Sequence, residues 1–510
     1  MISQSILLIH PPIAKPCEPP AGVAKLAKIL LGHGVDCRVY DASIDGILGL
    51  MKTPMTADDT WTRRAIAHRR PHIEGLRSLP LFSNPDRYKR AVMDVNRLLA
   101  MAGRPFQTTL SLANYTDAHL TPVRSRDLIQ AAEAFTRNPF YPIFSRKLTS
   151  LFEQSEPDFV GLSINFMSQA LCAFAIIGFI RKQLPQTRII CGGGLVTSWM
   201  NIPGMDNPFQ GLVDELVCGP GESRLVQLCT GRQLEAVPVT GYDFSLVETA
   251  PYLAPKSVLP YAASKGCWWK KCAFCPETAE DARYITDDSG VVVDELTRLV
   301  DYTGAGLIHF LDNALSPRLL DDLCDHPLPI AWYGFARVTR HLTDIEFVRR
   351  LKKAGCVMLK LGVESGDQRV LDALGKGIDI AVTAKALHTL NMAGIATYVY
   401  LLFGTPDENE ASAEKTLAFT LKHSPAIDFL NLAVFNLPAY SQEALKLETL
   451  DFYEGDLSLY REFIHPCGWR RDQVRRFLSS RFKKQTAIRE ILTNDPPYFT
   501  SNHAPFLISH

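Results

Sequence analysis

The chain has 510 residues, of which 54 are Lys or Arg, 54 are Asp or Glu, and 46% are hydrophobic. This length and composition predict a globular protein of two or three domains, and a net charge of zero gives no general attraction to nucleic acid, so we expect no nucleic-acid partner. We also expect no membrane partner and a cytoplasmic location, because the sequence shows neither an apolar run of membrane-spanning length nor a secretory leader pattern.

The N-terminal part of the chain alternates strand and helix patterns. Residues 5–10 and 36–41 predict buried strands, and residues 22–33 predict an amphipathic helix between them. This β-α-β start predicts an α/β protein whose N-terminal domain, residues 1–235, is a Rossmann-like doubly wound sheet. The alternation stops at about 45–150, where we expect a mainly helical insert that acts either as a lid or as a peripheral support.

Strand patterns resume at 158–165, 188–194 and 213–217. The first ends in small and polar residues, the second in three glycines, and the third is followed by a glycine turn. In open α/β sheets, ligands bind beyond the carboxyl ends of the strands, and glycines there let the backbone approach a large ligand closely. These segments are therefore either a binding edge or only tight turns. His10, which ends the first strand, is likewise either a ligand contact or a hydrogen-bonded core residue. The candidate ligand contacts at this edge are Ser163, Asn165, Gly192, Gly193, Gly194, Gly219, Glu222 and Ser223.

A linker at 236–256 precedes a second regular alternation at 257–440, and a helical C-terminal extension follows at 441–510, beginning with acidic helical material. Strands are predicted near 258–264, 306–312, 330–336, 356–363, 396–403 and 427–436. Helices are predicted at 291–303, 316–325, 341–354, 367–392 (broken near Gly375 and Gly377) and 409–423. Six β/α units are too few for a complete eight-unit barrel, so we predict a partial (β/α)6 TIM-type barrel. The extension carries a basic run that is either a solvated helix face or a phosphate or polyanion contact: Arg470, Arg471, Arg475, Arg476, Arg481, Lys483 and Lys484.

Three of the twelve cysteines, Cys267, Cys272 and Cys275, share one loop after the first strand of the predicted barrel. The next candidate ligands, His309 and Cys324, lie in other predicted elements, which argues against a structural zinc site with four ligands. An iron–sulfur cluster held by only three thiolates keeps one iron open to a small molecule. Because such folds keep their chemistry at the carboxyl ends of the barrel strands, this loop is the predicted metal centre.

This loop resembles the cluster loop of the radical S-adenosylmethionine superfamily, in which three cysteines bind a [4Fe–4S] cluster and S-adenosylmethionine occupies the open iron. The resemblance implies reductive cleavage of S-adenosylmethionine to a radical that abstracts hydrogen. Four residues separate Cys267 from Cys272, whereas the usual pattern is C-x3-C-x2-C. The resemblance therefore does not determine the detailed geometry of the loop. Later strand ends also resemble the family's motifs, such as G-x-E-S-G at 362–366. The S-adenosylmethionine contacts implied in this way are Phe274, Asp312, Arg337, Glu364, Ser365, Gly404 and Pro406.

The N-terminal patterns V-G-L-S, I-x-C-G-G-G and C-G-P-G-E-S resemble the cobalamin-binding-like domain that precedes many radical S-adenosylmethionine barrels. This part of the resemblance covers about 1–45 and 156–230 and implies cobalamin as a further cofactor. The D-x-H-x-x-G motif that supplies a cobalt-ligating His in other cobalamin proteins is absent. Its absence allows either cobalamin bound without a protein His or a domain that no longer binds cobalamin.

The two resemblances together imply a radical S-adenosylmethionine enzyme, with cobalamin-dependent methyl transfer to carbon as the expected reaction. A radical cyclase or rearranging enzyme on the same scaffold stays open, as does a corrinoid-binding sensor or carrier without radical activity. The expected partners are a small-molecule or peptide substrate and an external electron donor such as flavodoxin or ferredoxin. No motif identifies the substrate or a catalytic residue.

Overall fold

The computed structural model describes residues 4–234, 238–247, 251–496 and 503–508. The chain divides into two compact units. The first contains the described residues up to Val258 together with Tyr453–Leu459 and Pro496. The second contains Leu259–Phe452, Tyr460–Asp495 and the described residues from His503 onward. Within the described ranges, no helix is long and apolar enough to cross a membrane.

A five-stranded parallel sheet organises the first unit. The strands of this unit are β1 (Ser5–His10), β2 (Asp36–Asp41), β3 (Thr108–Leu110), β4 (Tyr115–Asp117), β5 (Phe159–Ser163), β6 (Arg188–Gly192) and β7 (Glu215–Leu216). The sheet has the order β2-β1-β5-β6-β7 with all printed pairs parallel, and β3 and β4 form a separate antiparallel hairpin. The strand order reverses between β1 and β5, which is the topological switch point where doubly wound sheets bind ligands.

Eleven helices were located among the described residues of the first unit. They are α1 (Ala21–Gly32), α2 (Ala42–Lys52), α3 (Thr60–Ala67), α4 (Arg69–Gly75), α5 (Leu79–Phe82), α6 (Pro85–Gly103), α7 (Ser125–Glu133), α8 (Tyr141–Gln154), α9 (Met167–Gln183), α10 (Gly194–Met200) and α11 (Glu222–Thr230). Ile6 and Leu8 of β1 share one apolar cluster with Val23 of α1 and Val226 of α11, so these helices cover one face of the sheet. The helix α9 is buried along most of its length, as expected for a helix that is apolar on all sides.

The second unit is built on a six-stranded sheet of the order β15-β14-β13-β12-β11-β8. Its strands are β8 (Val258–Tyr261), β9 (Ser264–Lys265), β10 (Ile285–Thr286), β11 (Leu307–Phe310), β12 (Ala331–Ala336), β13 (Cys356–Glu364), β14 (Ala396–Phe403), β15 (Phe429–Val434), β16 (Leu437–Pro438), β17 (Thr449–Asp451) and β18 (Tyr460–Phe463). The pairs from β11 to β15 are parallel. The predicted partial barrel is therefore confirmed.

Helices follow the barrel strands in the predicted order. They are α12 (Pro276–Ala279), α13 (Ser289–Thr303), α14 (Pro317–Asp325), α15 (Ile345–Lys353), α16 (Gln368–Ala373), α17 (Ile380–Met392), α18 (Glu410–His423), α19 (Gln442–Lys446), α20 (Arg471–Ser480) and α21 (Thr486–Asn494). The predicted helix at 367–392 is thus two helices, separated by a turn in which Gly375 and Gly377 have positive φ. The C-terminal extension is not helical throughout, because β16, β18 and β17 form a small antiparallel sheet before α20. These strands are too short for their alternation to stand out in the sequence.

Candidate functional site

The three clustered cysteines lie on the loop between β9 and α12. Cys272 is buried, whereas Cys267 and Cys275 are partly exposed. Gly266 turns the chain into this loop with a φ of 72°, and a Cβ at this position would lie 2.7 Å from the Arg283 carbonyl oxygen. Cys275 donates its backbone N–H to the Cys272 carbonyl at 3.2 Å, which closes the loop before α12. The three thiols are therefore held on one short, folded segment.

A second segment, Leu374–Gly377 between α16 and α17, packs directly against the cysteine loop. The indole N–H of Trp269 donates to the Gly375 carbonyl at 3.0 Å. A Cβ on Gly375 would lie 2.5 Å from the Lys271 carbonyl oxygen, and a Cβ on Gly377 would lie 2.0 Å from the Trp269 ring. Because both glycines also have positive φ, any other residue there would be strained and would push the cysteine loop away. We call Leu374–Gly377 the glycine segment.

Arg337, at the end of β12, supplies a buried positive charge beside the thiols. Its Nη1 donates to Cys272 Sγ at 3.8 Å, and Nη2 donates to the Lys376 carbonyl. The guanidinium also stacks over the Trp269 ring, 4.2 Å from its centroid. Burial lowers the pKa of Arg337, while the thiols of Cys272 and Cys267 act in the opposite direction. Arg337 thus connects the cysteine loop with the glycine segment.

Glu364 and Lys376 form a buried ion pair at the same end of the barrel, with Lys376 Nζ 2.7 Å from Glu364 Oε1. Glu364 ends β13 with a φ of 63°. A Cβ on Gly362 would lie 2.5 Å from that carboxylate oxygen and 2.6 Å from Lys376 Nζ, so the glycine makes room for the pair. Lys376 Nζ also lies 5.5 Å from the Phe274 ring centroid. The G-x-E pattern therefore has a physical reason in this chain.

The surroundings of the thiols suit a cluster of iron ions. Burial raises the pKa of Cys272, but Lys376 and then Arg337 lower it, and burial raises the pKa of Cys275 to about 11. Metal ligands must be thiolates, and the two cations favour that form. Among the described residues, no group of three or more His, Cys, Asp or Glu side chains is close enough together to hold one single metal ion. A [4Fe–4S] cluster needs no such convergence, because each thiolate binds a different iron.

Asp312 and Ser365, two of the predicted S-adenosylmethionine contacts, are buried and bonded to protein groups. Asp312 accepts from the Ala263 N–H at 2.9 Å and from the Ser264 hydroxyl, which ties the end of β11 to β9. Ser365 Oγ lies 3.2 Å from the Thr416 hydroxyl of α18. Both side chains therefore hold strand ends in place in this structure.

Phe274 and Pro406, two further predicted contacts, line one cavity of about 250 Å³ in the second unit. Pro406 belongs to the turn after β14, which begins at Gly404 with a φ of 78°. The structure therefore brings the aromatic residue of the cysteine loop and this turn to the same apolar cavity. Leu374 of the glycine segment also contributes to its wall.

The turn after β14 is anchored by residues that the sequence patterns did not single out. Glu408 is fully buried and accepts from the Gly404 N–H and from Trp469 Nε1, the latter at 3.1 Å. Burial raises the pKa of Glu408 to about 7. His465 Nδ1 accepts from the Cys467 N–H at 3.2 Å, so its proton resides on Nε2, which donates to a turn carbonyl at 2.9 Å. The C-terminal extension thus fixes this turn.

A second group that was missed lies in the barrel interior. Lys360, on β13, is buried with its Nζ 3.0 Å from His309 Nε2. The His309 ring stacks on Tyr333 at a centroid distance of 4.5 Å, and Lys360 Nζ lies 4.9 Å from the ring centroids of Tyr333 and Phe335. A single Lys in the otherwise apolar strand Cys356–Leu361 was the available sequence signal.

At the carboxyl edge of the first unit's sheet, the switch point lies between His10 of β1 and Ser163 of β5. His10 is buried, and its Nδ1 has no hydrogen-bond partner among the described residues. Asn165 Oδ1 accepts from the Gly194 N–H at 3.0 Å, and its Nδ2 donates to the Ser163 hydroxyl at 3.1 Å. Phe166, the next residue, is 51% exposed. The edge thus combines an unpartnered buried polar atom with an exposed aromatic ring.

The glycines of this edge have different roles. Gly193 has a φ of 105°, and a Cβ there would lie 2.6 Å from the Ile164 carbonyl oxygen, so a tight turn requires this glycine. Gly192, directly before Gly193 in the chain, is the last residue of β6. Gly219 donates its N–H to the Thr197 hydroxyl at 3.0 Å, and a Cβ there would meet no atom within 4 Å. Its surroundings therefore leave open space.

Glu222 and Ser223 lie at the start of α11. Glu222 is buried and forms an ion pair with Lys25 at 3.7 Å, so its carboxylate is turned into the unit. Ser223 is partly exposed. Of the residues predicted at this edge, Ser163, Asn165 and Gly192–Gly194 are brought together by direct contacts or chain continuity, while Glu222 serves an internal ion pair.

Residues 261–420 match the family model of the Radical SAM superfamily. This match lies in the second unit and includes the cysteine loop, Arg337 and the glycine segment. It agrees with the resemblance predicted from the sequence, and the first unit has the predicted Rossmann-like parallel sheet.

Among curated proteins, an uncharacterized methyltransferase of Pyrococcus horikoshii is 23% identical over 315 residues, which are 54% of this chain and 66% of that protein. The anaerobic magnesium-protoporphyrin IX monomethyl ester cyclase of Cereibacter sphaeroides is 25% identical over 201 residues, 37% of this chain and 32% of the cyclase. The chain therefore spans only part of the curated relatives that it matches.

Among solved structures, the radical S-adenosylmethionine methyltransferase TsrM from Kitasatospora setae, with cobalamin and a [4Fe–4S] cluster bound, has a TM-score of 0.55 at 15% identity. The match covers 91% of this chain and 87% of that chain. At this identity the likeness establishes the fold, and it confirms the predicted architecture of a Rossmann-like sheet followed by a partial barrel.

Proposed function

We propose that this protein cleaves S-adenosylmethionine reductively at a [4Fe–4S] cluster held by Cys267, Cys272 and Cys275, and that it is a cobalamin-dependent C-methyltransferase. The observation that carries the proposal is the three-thiol loop, held by the glycine segment and faced by the cations of Arg337 and Lys376. This arrangement lies within the part of the chain that matches the Radical SAM superfamily.

When bound, such a cluster supplies the electron that cleaves the C–S bond of S-adenosylmethionine and so starts hydrogen abstraction. The chain's own residues prepare the site. Arg337 and Lys376 place positive charge beside the thiolates, which stabilises their ionised form. Trp269 covers the side of the loop that faces the glycine segment and limits access of water there. Phe274 offers an apolar face in the cavity that it shares with Pro406, which suits the adenine ring.

Cobalamin is the second proposed cofactor. Three features at the carboxyl edge of the first unit's sheet fit it: the switch point between β1 and β5, the unpartnered Nδ1 of His10, and the exposed ring of Phe166. The open space around Gly219 allows close approach of a large planar ligand. The likeness to the fold of TsrM supports this proposal. Cobalamin would supply the methyl carrier for transfer to carbon.

The test is anaerobic purification and reconstitution of the full chain, followed by iron, sulfide and cobalamin analysis. We expect about four irons per chain, as for one [4Fe–4S] cluster. Incubation with S-adenosylmethionine and dithionite, which replaces the proposed flavodoxin or ferredoxin donor, should release 5′-deoxyadenosine, measured by mass spectrometry. A full cluster without 5′-deoxyadenosine would contradict radical activity and favour a corrinoid carrier.

A radical cyclase is the second candidate, because 201 residues of this chain are 25% identical to the cyclase of Cereibacter sphaeroides. S-Adenosylmethionine with a trideuterated methyl group separates the two reactions. A methyltransferase incorporates the label into a product, whereas a cyclase forms 5′-deoxyadenosine and leaves its product unlabelled.

A further inference from the structure

A cavity of about 600 Å³ lies at the carboxyl end of the barrel in the second unit. Gly404, which follows β14, and Val434, the last residue of β15, contribute to its lining. The remaining walls come from Phe435, from β17 and Phe452, from β18 and the segment 464–470 that follows it, and from the first turns of α20. We call this space the arginine cavity.

Positive charge dominates the lining. Four arginines face the cavity against the carboxylates of Glu462 and Asp472, namely Arg461, Arg470, Arg471 and Arg475. Arg461 pairs with Asp451, and Arg470 Nε lies 3.3 Å from Asp472 Oδ1. In the described part of the chain, Arg475 has neither a hydrogen bond nor an ion pair from its side chain, so its guanidinium is available to a ligand.

The rest of the lining is apolar. Phe452, Phe463 and Trp469 contribute aromatic surface to the cavity. Leu450 and Ile464, which also line it, are 55% and 52% exposed, although large hydrophobic side chains usually avoid water. Apolar side chains combined with a few charged groups are typical of small-molecule sites. The cavity therefore suits a molecule that joins an acidic group to an apolar body.

The position of the cavity connects it with the turn after β14. Trp469, one of its aromatic residues, donates to Glu408, and Glu408 in turn accepts from the Gly404 N–H. TIM-type folds bind substrates at the carboxyl ends of their strands, and Gly404 and Val434 lie at two such ends. The wall of the cavity is thus bonded to the turn that carries Pro406.

We propose that the arginine cavity binds the acidic group of the substrate, and that the substrate is a small organic anion, a carboxylate or a phosphate ester, with an aromatic or otherwise apolar body. Guanidinium groups recognise both kinds of anion through charge-assisted hydrogen bonds. The assignment of the ligand as substrate rests on the proposed function, whereas anion binding by the cavity does not.

The basic run of the extension thereby divides into two groups. Arg470, Arg471 and Arg475 line the cavity. Arg476 is exposed and lies outside it, and Arg481 forms ion pairs with acidic residues of α18, one of them with Glu410 at 2.9 Å. Only the first group has the position of a ligand contact, so Arg476 provides a matched control on the same helix.

The test measures binding of three probes to the anaerobically reconstituted full chain by isothermal titration calorimetry, without S-adenosylmethionine or reductant. The probes are 2-naphthoate, 2-naphthyl phosphate and the uncharged 2-naphthamide. We expect at least one anion to bind about tenfold more tightly than the amide, which corresponds to one charge-assisted hydrogen bond. The preferred anion identifies the acidic group as a carboxylate or a phosphate.

Arg475→Gln should weaken binding of the preferred anion about tenfold, and Arg475→Glu should abolish it, because the sign of the charge is reversed. Arg476→Gln, which removes the same charge one residue away, should leave binding unchanged. Equal affinities for anion and amide, an equal loss in Arg476→Gln, or no binding of any probe would overturn the proposal. Because this assay involves no turnover, it can fail while 5′-deoxyadenosine formation succeeds, and the reverse also holds.

Discussion

The two units place their candidate sites at the same kind of location, the carboxyl edge of a parallel sheet, but they build them differently. In the second unit, charged side chains from three strand or turn positions converge on the cysteine loop, with Arg337, Glu364 and Lys376 all buried. In the first unit, backbone turns at Gly193 and Gly219 shape the edge, and the buried His10 at the end of β1 has an Nδ1 without a hydrogen-bond partner among the described residues. Buried thiolates require compensating charge, whereas a large planar ligand requires clearance. We therefore expect single substitutions to have larger effects at the cysteine loop.

The largest effect is expected for Cys272→Ala, and likewise for Cys267→Ala and Cys275→Ala. Each removes one of only three proposed iron ligands, so iron and sulfide should be lost. The amount of 5′-deoxyadenosine should fall to that formed in a control sample without protein. Iron analysis after anaerobic reconstitution provides the measurement.

Cys324→Ala is the control for these variants, because Cys324 lies on α14 of the same unit, away from the cysteine loop. It should keep the full iron content. Retention of full iron in any one of the three loop variants would refute the ligand assignment.

A smaller but still large effect is expected for Gly377→Ala. The added Cβ would lie 2.0 Å from the Trp269 ring, so the cysteine loop must shift, at a cost of about 2 kcal/mol from overpacking. Most of the iron should be lost after reconstitution. Gly394→Ala is the control, because Gly394 has a similar positive φ of 72° but open space around it. It should cost about 1 kcal/mol of stability and no iron. If both variants lost the same amount of iron, backbone strain rather than packing would be the cause.

The buried turn after β14 should make stability depend on pH. Burial raises the pKa of Glu408 from 4.5 to about 7. The folded protein therefore keeps this proton in a range where the unfolded chain has lost it. The resulting stability is present below about pH 4.5 and is lost as the pH rises through about 7, by about 3 kcal/mol in total.

Glu408→Gln should remove this loss of stability at higher pH. The amide mimics the protonated acid, and its oxygen can still accept from Gly404 and Trp469. Urea unfolding at pH 5 and pH 8 measures the difference. The control is Glu410→Gln, which alters an exposed ion pair with Arg481 and should follow the wild type. If the free energy of unfolding changed between pH 5 and pH 8 by the same amount in Glu408→Gln as in the wild type, Glu408 would be ionised in the folded protein at both pH values.

The smallest effect is expected at the edge of the first unit. Asn165→Ala removes the acceptor of the Gly194 N–H and should cost about 1 kcal/mol. Cobalamin content should fall while iron content stays at the wild-type level. Asn201→Ala, which removes a hydrogen bond to Thr197 at the other end of α10, should leave both contents unchanged. Loss of iron in Asn165→Ala would show that iron binding at the cysteine loop depends on the edge of the first unit's sheet.

Local patterns in the sequence were sufficient to predict where the strands of both parallel sheets lie along the chain. Strands such as Leu307–Phe310 and Ala396–Phe403 are short apolar runs bounded by turns, because strands of a covered parallel sheet are buried on both faces. The three cysteines could be singled out as candidate iron ligands because all of them lie within one loop. Glu364 and Gly404 could be singled out as candidate contacts because each belongs to a short motif at a strand end.

What the tertiary structure alone decided is which distant groups meet these motifs. The glycine segment lies more than a hundred residues beyond Trp269, and in the sequence it is only an interruption between two helical patterns. Lys376 beside Glu364, Arg337 beside Cys272, and Arg475 in a cavity with Val434 depend on how strand ends and the extension pack. Periodicity and local motifs follow from contacts between near neighbours in the chain. Charge compensation and clearance depend on contacts between distant residues, which only the folded chain brings together.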